Sequence, residues 1–322
     1  MTREERPPPP GARQERVAKI WTVLAVGLAV LAVLSRGDAR PPGERSGAKA
    51  TGPRLELGPG PDASGFARAT TVRDYHLPVD HGPHLGSQTE WWYFTGHLVA
   101  EDGRPFGFQL TFFRRGLTPG SPPAGPGLAS NQIYFAHFAV TDRFAGEHHF
   151  AERWSRGAGE LAGARGEPFA VWLEDWRVES RNEDGSALRL VARDGARRLS
   201  LDLEARKPLV RHGDRGLSPK SGEPGNASHY IGYTRLDARG ELATPQGTAR
   251  VAGEAWFDHE WSTSALGPGA VGWDWFSLQL DDGRELMYFQ IRREDGGVEP
   301  VSGGTWVEGD GATRRLRRED VV

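Results

Sequence analysis

The sequence predicts an all-β protein of two antiparallel β-barrel domains, and three observations carry that expectation. Gly and Pro number 43 and 23 in 322 residues, enough punctuation to end many short strands. Aromatic residues, including 11 Trp and 14 Phe, gather in short alternating runs. No segment beyond the N-terminal region sustains a helical period.

Taken in order, Arg13, Arg16 and Lys19 precede an uncharged apolar run at residues 20–34. Its 15 residues fall short of the ~20 that cross a bilayer and match the apolar centre of an export signal. Gly37 and Ala39 supply small side chains for cleavage. Residues 1–39 are expected to be a signal peptide or an uncleaved signal anchor. The protein is then periplasmic or extracellular, or held to the membrane by an N-terminal helix. Residues 40–69, rich in Pro, Gly and charge, read as a disordered linker.

From residue 70 the chain changes character. Residues 90–100 (EWWYFTGHLVA) and 105–115 (PFGFQLTFFRR) flank an Asp102-Gly103 pair, a strong short-range hairpin signal. Phe106, Phe108, Leu110 and Phe112 share one face of the second strand, with Gln109 and Thr111 on the other. Further strands are expected at 132–142, 169–180, 187–192 and 198–205. Residues 70–205 form the N-terminal barrel, and the polar, Pro/Gly-rich stretch 206–229 reads as the connection between domains. Residues 230–322 form a C-terminal barrel that looks too short for eight strands. In it, GWDWFSLQL and ELMYFQIRR flank Asp282-Gly283, 180 positions after Asp102-Gly103. A Gln-aliphatic pair follows each turn (Gln109-Leu110, Gln290-Ile291), which supports duplicated β-domains.

Composition narrows the functions. A net charge of −3 provides no field for nucleic acid. The absence of Cys removes disulfides, thiolate catalysis and Cys-ligated zinc. The sequence has no G-x-S-x-G elbow, phosphate-binding glycine loop or H-E-x-x-H. His76, His81 and His84 lie in a loop with two prolines, without a second ligand set at zinc spacing, so no metal and no cofactor is expected.

The segment most able to carry chemistry is Trp256-Phe257-Asp258-His259-Glu260-Trp261. Three ionisable side chains within an apolar strand are costly unless paired or used. On a regular strand Asp258 and Glu260 share one face and His259 and Trp261 the other, so Asp258 and Trp261 meet only at a bulge or strand end. Trp91, Trp92 and Tyr93 read as barrel core or as ligand contacts. Glu90 and Asp274, each beside aromatic residues, read either as buried carboxylates with polar partners or as site groups.

The segments TEWWYFTGHL, FGFQLTFFR, AHFAVTD, YIGYTRL, AWFDHEWS and GWDWFSLQLDDGRELMYFQIR resemble the CrtC/AttH-like family, over about residues 70–293. That family includes carotenoid 1,2-hydratases and bacterial proteins described as secreted hydrolases. The resemblance implies two packed lipocalin-like barrels with an apolar cavity near their junction. It also implies cofactor-free addition of water to an isoprenoid double bond. By that resemblance Asp258 is the proton donor and Trp261 a wall facing the cation, with His259 or Glu260 positioning water. Glu90, Trp91, Tyr93, Trp256, Trp273 and Asp274 are the expected ligand contacts.

Two functions follow from different classes. One is a hydratase-like enzyme acting on an apolar isoprenoid or polyene by acid catalysis. The other is a non-catalytic lipocalin-like lipid carrier of the cell envelope. In both the partner is an apolar small molecule, joined by the membrane if the N-terminal segment is retained.

Overall fold

The computed structural model describes residues 63–121, 130–263 and 266–321. The apolar run at 20–34 and nearly all of the expected linker lie outside the described residues. Among the described residues the fold is nearly all β, as the punctuation and aromatic patterning require, with two single-turn 3₁₀ helices. A large, nearly closed antiparallel sheet forms a barrel, and a second sheet of four strands packs beside it.

The barrel begins with β1 (Thr89–Ala100), β2 (Pro105–Gly116), β3 (Gln132–Asp142) and β4 (Glu147–Arg156). It continues through β5 (Ala162–Gly166), β6 (Phe169–Leu173), β7 (Trp176–Ser180), β8 (Ala187–Asp194) and β9 (Arg197–Ala205). Two short strands, β10 (Val210–Arg211) and β11 (Leu217–Pro219), lead to a long hairpin, β12 (Ala227–Thr244) and β13 (Gly247–Ser262). That hairpin closes the order β4-β3-β2-β1-β13-β12-β9-β8-β7-β6-β5. The segment 206–229 is therefore not a bare connection: β10 and β11 pair with β12, and the hairpin after it belongs to the first sheet. The division between sheets falls after Ser262. Polar, Pro/Gly-rich composition disguises strands of only two and three residues, too short to show an alternating pattern.

The second sheet is β14 (Ala270–Gln279), β15 (Glu285–Arg293), β16 (Gly303–Val307) and β17 (Thr313–Arg317), in that order. Both Asp-Gly turns form as the sequence predicts. Gly103 and Gly283 take φ of 85° and 81°, a left-handed conformation that favours glycine. In each, the preceding Asp accepts a hydrogen bond from the following Arg backbone N–H at 3.2 Å. The expected strand at 169–180 is broken into β6 and β7 by a turn, and His148 and His149, which resemble a turn pair in sequence, lie in β4.

Alternation along the strands sets the core. Trp92, Phe94 and Leu98 of β1 point into the barrel, where they meet Phe108, Leu110 and Phe112 of β2 and Phe257 of β13. Phe94 stacks on Phe257 with centroids 4.4 Å apart. The opposite faces of β12 and β13 carry Tyr230 and Trp256, which pack with Met287, Phe289 and Ile291 of β15. A buried Glu285 ties the sheets together, accepting from Lys207, Arg235 and Thr234 at 2.7–3.1 Å. The long hairpin thus serves two cores, one on each face.

Candidate active site

Register decides which residues of β13 meet. Tyr93, Trp92, Trp91 and Glu90 of β1 face Asp258, His259, Glu260 and Trp261 in an unbroken ladder. The only irregularity against β12 falls between Tyr233 and Leu236, before this segment. No bulge therefore brings Asp258 to Trp261. They stand on opposite faces, as simple alternation requires.

Toward the barrel, Glu90 is fully buried and surrounded by donors. Arg114 Nε donates at 2.8 Å, His259 Nε2 at 2.8 Å, and His84 gives both Nδ1–H at 2.8 Å and its backbone N–H at 2.9 Å. Burial alone would raise the Glu90 carboxyl, but Arg114 and the two histidines hold it well below the usual range. His84 also reaches Asp80 through Nε2 at 3.1 Å. Burial opposes its charge, yet its bonds to Asp80 and Glu90 raise its pKa. The His84 ring stacks on Trp261 with centroids 3.6 Å apart. His259 lies against Trp92 and is pushed down to about 4 by burial. Donor atoms of His84, Glu90 and His259 lie within 4.8 Å of one another, a set able to hold a metal. Their 2.8 Å contacts are hydrogen-bond lengths, whereas ligands ~2.1 Å from one tetrahedral ion stand about 3.4 Å apart. With Arg114 on the second carboxylate oxygen, the cluster is best described as an ionic hydrogen-bond network.

The other face differs. Asp258 is 3% exposed and lies between the sheets. Trp256 Nε1 donates to its Oδ1 at 2.8 Å, and the Tyr230 hydroxyl hydrogen-bonds it as well. His212 Nε2 faces Oδ1 at 3.8 Å and its ring packs on Tyr230, 4.3 Å between centroids. Burial pushes His212 down to about 3, so it is a neutral neighbour. Burial pushes Asp258 up to about 8, helped by the Glu260 charge and opposed by the Trp256 and Tyr230 hydrogen bonds and by Lys220. Asp258 is thus a carboxylic acid at neutral pH.

Next to it lies a cavity of about 40 Å³ lined by Trp91, Tyr230, Trp273, Trp275, Phe289 and Glu260, among others. Tyr230 stands between Asp258 and this cavity, its oxygen accepting from Trp275 Nε1 at 3.1 Å. Glu260 is held by Lys220 Nζ at 2.6 Å and by the Ser228 hydroxyl. Trp256 also borders a wider groove of about 480 Å³ that includes His97, Arg143 and Gln279.

The expected residues therefore divide. Asp258, Glu260, Trp256, Trp91, Tyr93 and Trp273 gather between the sheets, with Tyr93 edge-on to Trp275 at 5.4 Å. His259, Trp261 and Glu90 belong to the network inside the barrel. Asp274 alternates away from Trp273 and Trp275 and pairs with Arg292 at 3.5 Å. Sequence reasoning missed Tyr230, His212 and Lys220. Tyr230 has a usable signal, because it opens YIGYTRL, one of the segments that carry the family resemblance; the other two lie in 206–229, the stretch that reads as the connection between domains.

A barrel of antiparallel strands with an aromatic, acid-bearing cavity beside it is a lipocalin-like architecture. The chain belongs to the AttH-like family, whose sequence model matches residues 68–322. An AttH structure from Nitrosomonas europaea is 32% identical, covering 79% of this chain and 76% of that one with a TM-score of 0.70. Kievitone hydratase from Nectria haematococca shares the fold at 14% identity, covering 79% and 73% with a TM-score of 0.56. Comparison with curated proteins finds no match.

Proposed function

We propose that this protein binds an apolar isoprenoid or polyene between its two sheets and adds water to a carbon–carbon double bond. The observation that carries this reading is Asp258, a buried acid kept protonated among neutral hydrogen-bond donors beside an aromatic cavity. Protonating an alkene needs such an acid, and the cation it forms needs aromatic faces.

In the reaction, the Asp258 proton reaches the alkene through the Tyr230 hydroxyl, which passes on its own proton as it takes that of Asp258, so that no phenolate forms. Trp91, Trp273 and Trp275 face the resulting cation. Water adds to it, and its released proton passes to Glu260 and on to solvent, from which Asp258 is reprotonated. The name of the structural neighbour kievitone hydratase is in keeping with hydration on this fold. Residues 1–39 are proposed to export or anchor the protein at the cell envelope.

The test is incubation with a panel of isoprenoids and polyenes in H₂¹⁸O, scored by mass spectrometry for label in the product. Asp258→Asn is expected to lower turnover by ~10²–10⁴ while leaving folding intact. Normal turnover in that variant retires the acid role. A lipid that copurifies unchanged, with no labelled product, favours the carrier reading that the apolar segment at 20–34 also accommodates.

A further inference from the structure

The cavity beside Asp258 already holds a cation. Lys220 Nζ lies 4.5 Å from the Phe289 ring centroid and 5.4 Å from that of Tyr230. It pairs with Glu260 at 2.6 Å and touches Ser218 Oγ at 3.2 Å, with its side chain only 11% exposed. Trp91, Trp273 and Trp275 complete the enclosure. Several aromatic faces converging on one carboxylate make a strong site for an organic cation, because each ring face is negative and the enclosure is shielded from water.

Two further features mark Lys220 as a replaceable occupant. It comes from the turn after β11, where its backbone N–H bonds Asn226 within the same turn. Its side chain can therefore withdraw without breaking a ladder between strands. The enclosure is also richer in aromatic surface than one primary ammonium uses: Lys220 spends its N–H groups on Glu260 and Ser218, and the three indoles offer apolar faces that suit methyl groups. The ~40 Å³ left free is space for a few waters, so an alkylated ammonium needs the volume that Lys220 vacates.

We propose that this cavity is a binding site for a tertiary or quaternary alkylammonium group, and that the Lys220 ammonium fills it until such a ligand displaces it. The group comes from a free amine or from a lipid headgroup. It shares Trp91, Trp273, Trp275 and Glu260 with the hydration reading, so an alkylammonium and an alkene compete for one cavity. It makes no use of Asp258, and because choline binding and turnover are separate readouts either can fail alone.

Calorimetry on the full chain, with choline against its neutral isostere 3,3-dimethyl-1-butanol, tests it. Wild type is expected to prefer choline by about tenfold or more, and Lys220→Met to tighten choline further by removing the competing cation. Lys220→Met leaves Glu260 unpaired, so melting is followed alongside, and the double variant Lys220→Met/Glu260→Gln serves as the control without charge. It is expected to keep only the part of the choline preference that the ring faces supply, about threefold or less. Should Lys220→Met not fold, wild type against the double variant decides. Dioctanoyl phosphatidylcholine binding at least tenfold tighter than choline, with dioctanoyl phosphatidylglycerol silent, assigns a lipid headgroup; choline binding as well as the lipid assigns a free amine. Equal binding of choline and the isostere to folded wild type, or no binding of either, overturns the proposal.

Discussion

Glu90 on β1 and Asp258 on β13 are acids in neighbouring strands, both nearly sealed from solvent, yet their surroundings drive them to opposite charge states. Glu90 faces the barrel, where a buried guanidinium and two imidazoles keep it ionised. Asp258 faces the second sheet, where an indole N–H and a phenol give hydrogen bonds without charge, so desolvation prevails and the proton stays. Burial alone fixes neither outcome. What differs is whether the hydrogen bonds that compensate burial bring full charges with them. The barrel face spends its charge on holding the loop that carries Asp80 and His84 against β1 and β13. The other face keeps an acid in reserve.

The largest expected effect tests the ionised side. Glu90→Gln strands the Arg114 guanidinium, which is fully buried, and is expected to cost ~3–5 kcal/mol in denaturant unfolding. A loss below ~1 kcal/mol would mean that Arg114 finds another partner and that the network is looser than its geometry.

The protonated side is tested by pH. Asp258 has a folded pKa of about 8 against 3.8 in the unfolded chain, so its contribution to stability is present below 3.8 and fades as pH rises through about 8. Asn cannot ionise. Asp258→Asn is therefore expected to gain on wild type by roughly 4 kcal/mol between about pH 5 and pH 9, read from paired denaturation curves. Parallel curves would show Asp258 ionised in the folded protein. Glu90 runs the other way: its contribution is held above its unfolded value of 4.5 and lost as pH falls through its lower folded value.

A finer test removes one donor. Trp256→Phe deletes the indole N–H on Asp258 and is expected to cost ~0.5–1.5 kcal/mol and to raise the Asp258 pKa further, seen as an upward shift of its carboxyl infrared titration. The smallest effect calibrates the rest. Arg181 and Asp202 pair at 3.3 Å with more than half of each side chain exposed, and Arg181→Ala is expected to change stability by no more than ~0.5 kcal/mol.

Much of this contrast is legible in the sequence. The run Trp256 to Trp261 alternates so plainly that Asp258 and Glu260 separate from His259 and Trp261 on paper, and the ladder bears this out. The Asp-Gly turns are equally readable, because left-handed backbone after an Asp has few other solutions. The partners are not legible. Arg114 lies 24 residues from Glu90 and His259 lies 169 away, and no local pattern joins them. Nor does local pattern reveal that residues 206–229 return to the sheet. Polar turns there look like a connection between domains until β12 pairs with them, and with them His212 reaches Asp258 and Lys220 reaches the cavity.

The unbroken register of β13 against β1 also limits how such a protein can diverge. Successive side chains open onto different chemistry, so losing or gaining one residue between 247 and 257 would turn Asp258 toward Arg114 and His84 and send His259 into the aromatic cavity. Point replacements can adjust either face separately, whereas a change of length inside the strand exchanges both at once. Insertions that leave both faces in place belong where the hairpin reverses, at residues 245–246 between Thr244 and Gly247, beyond the last paired residues.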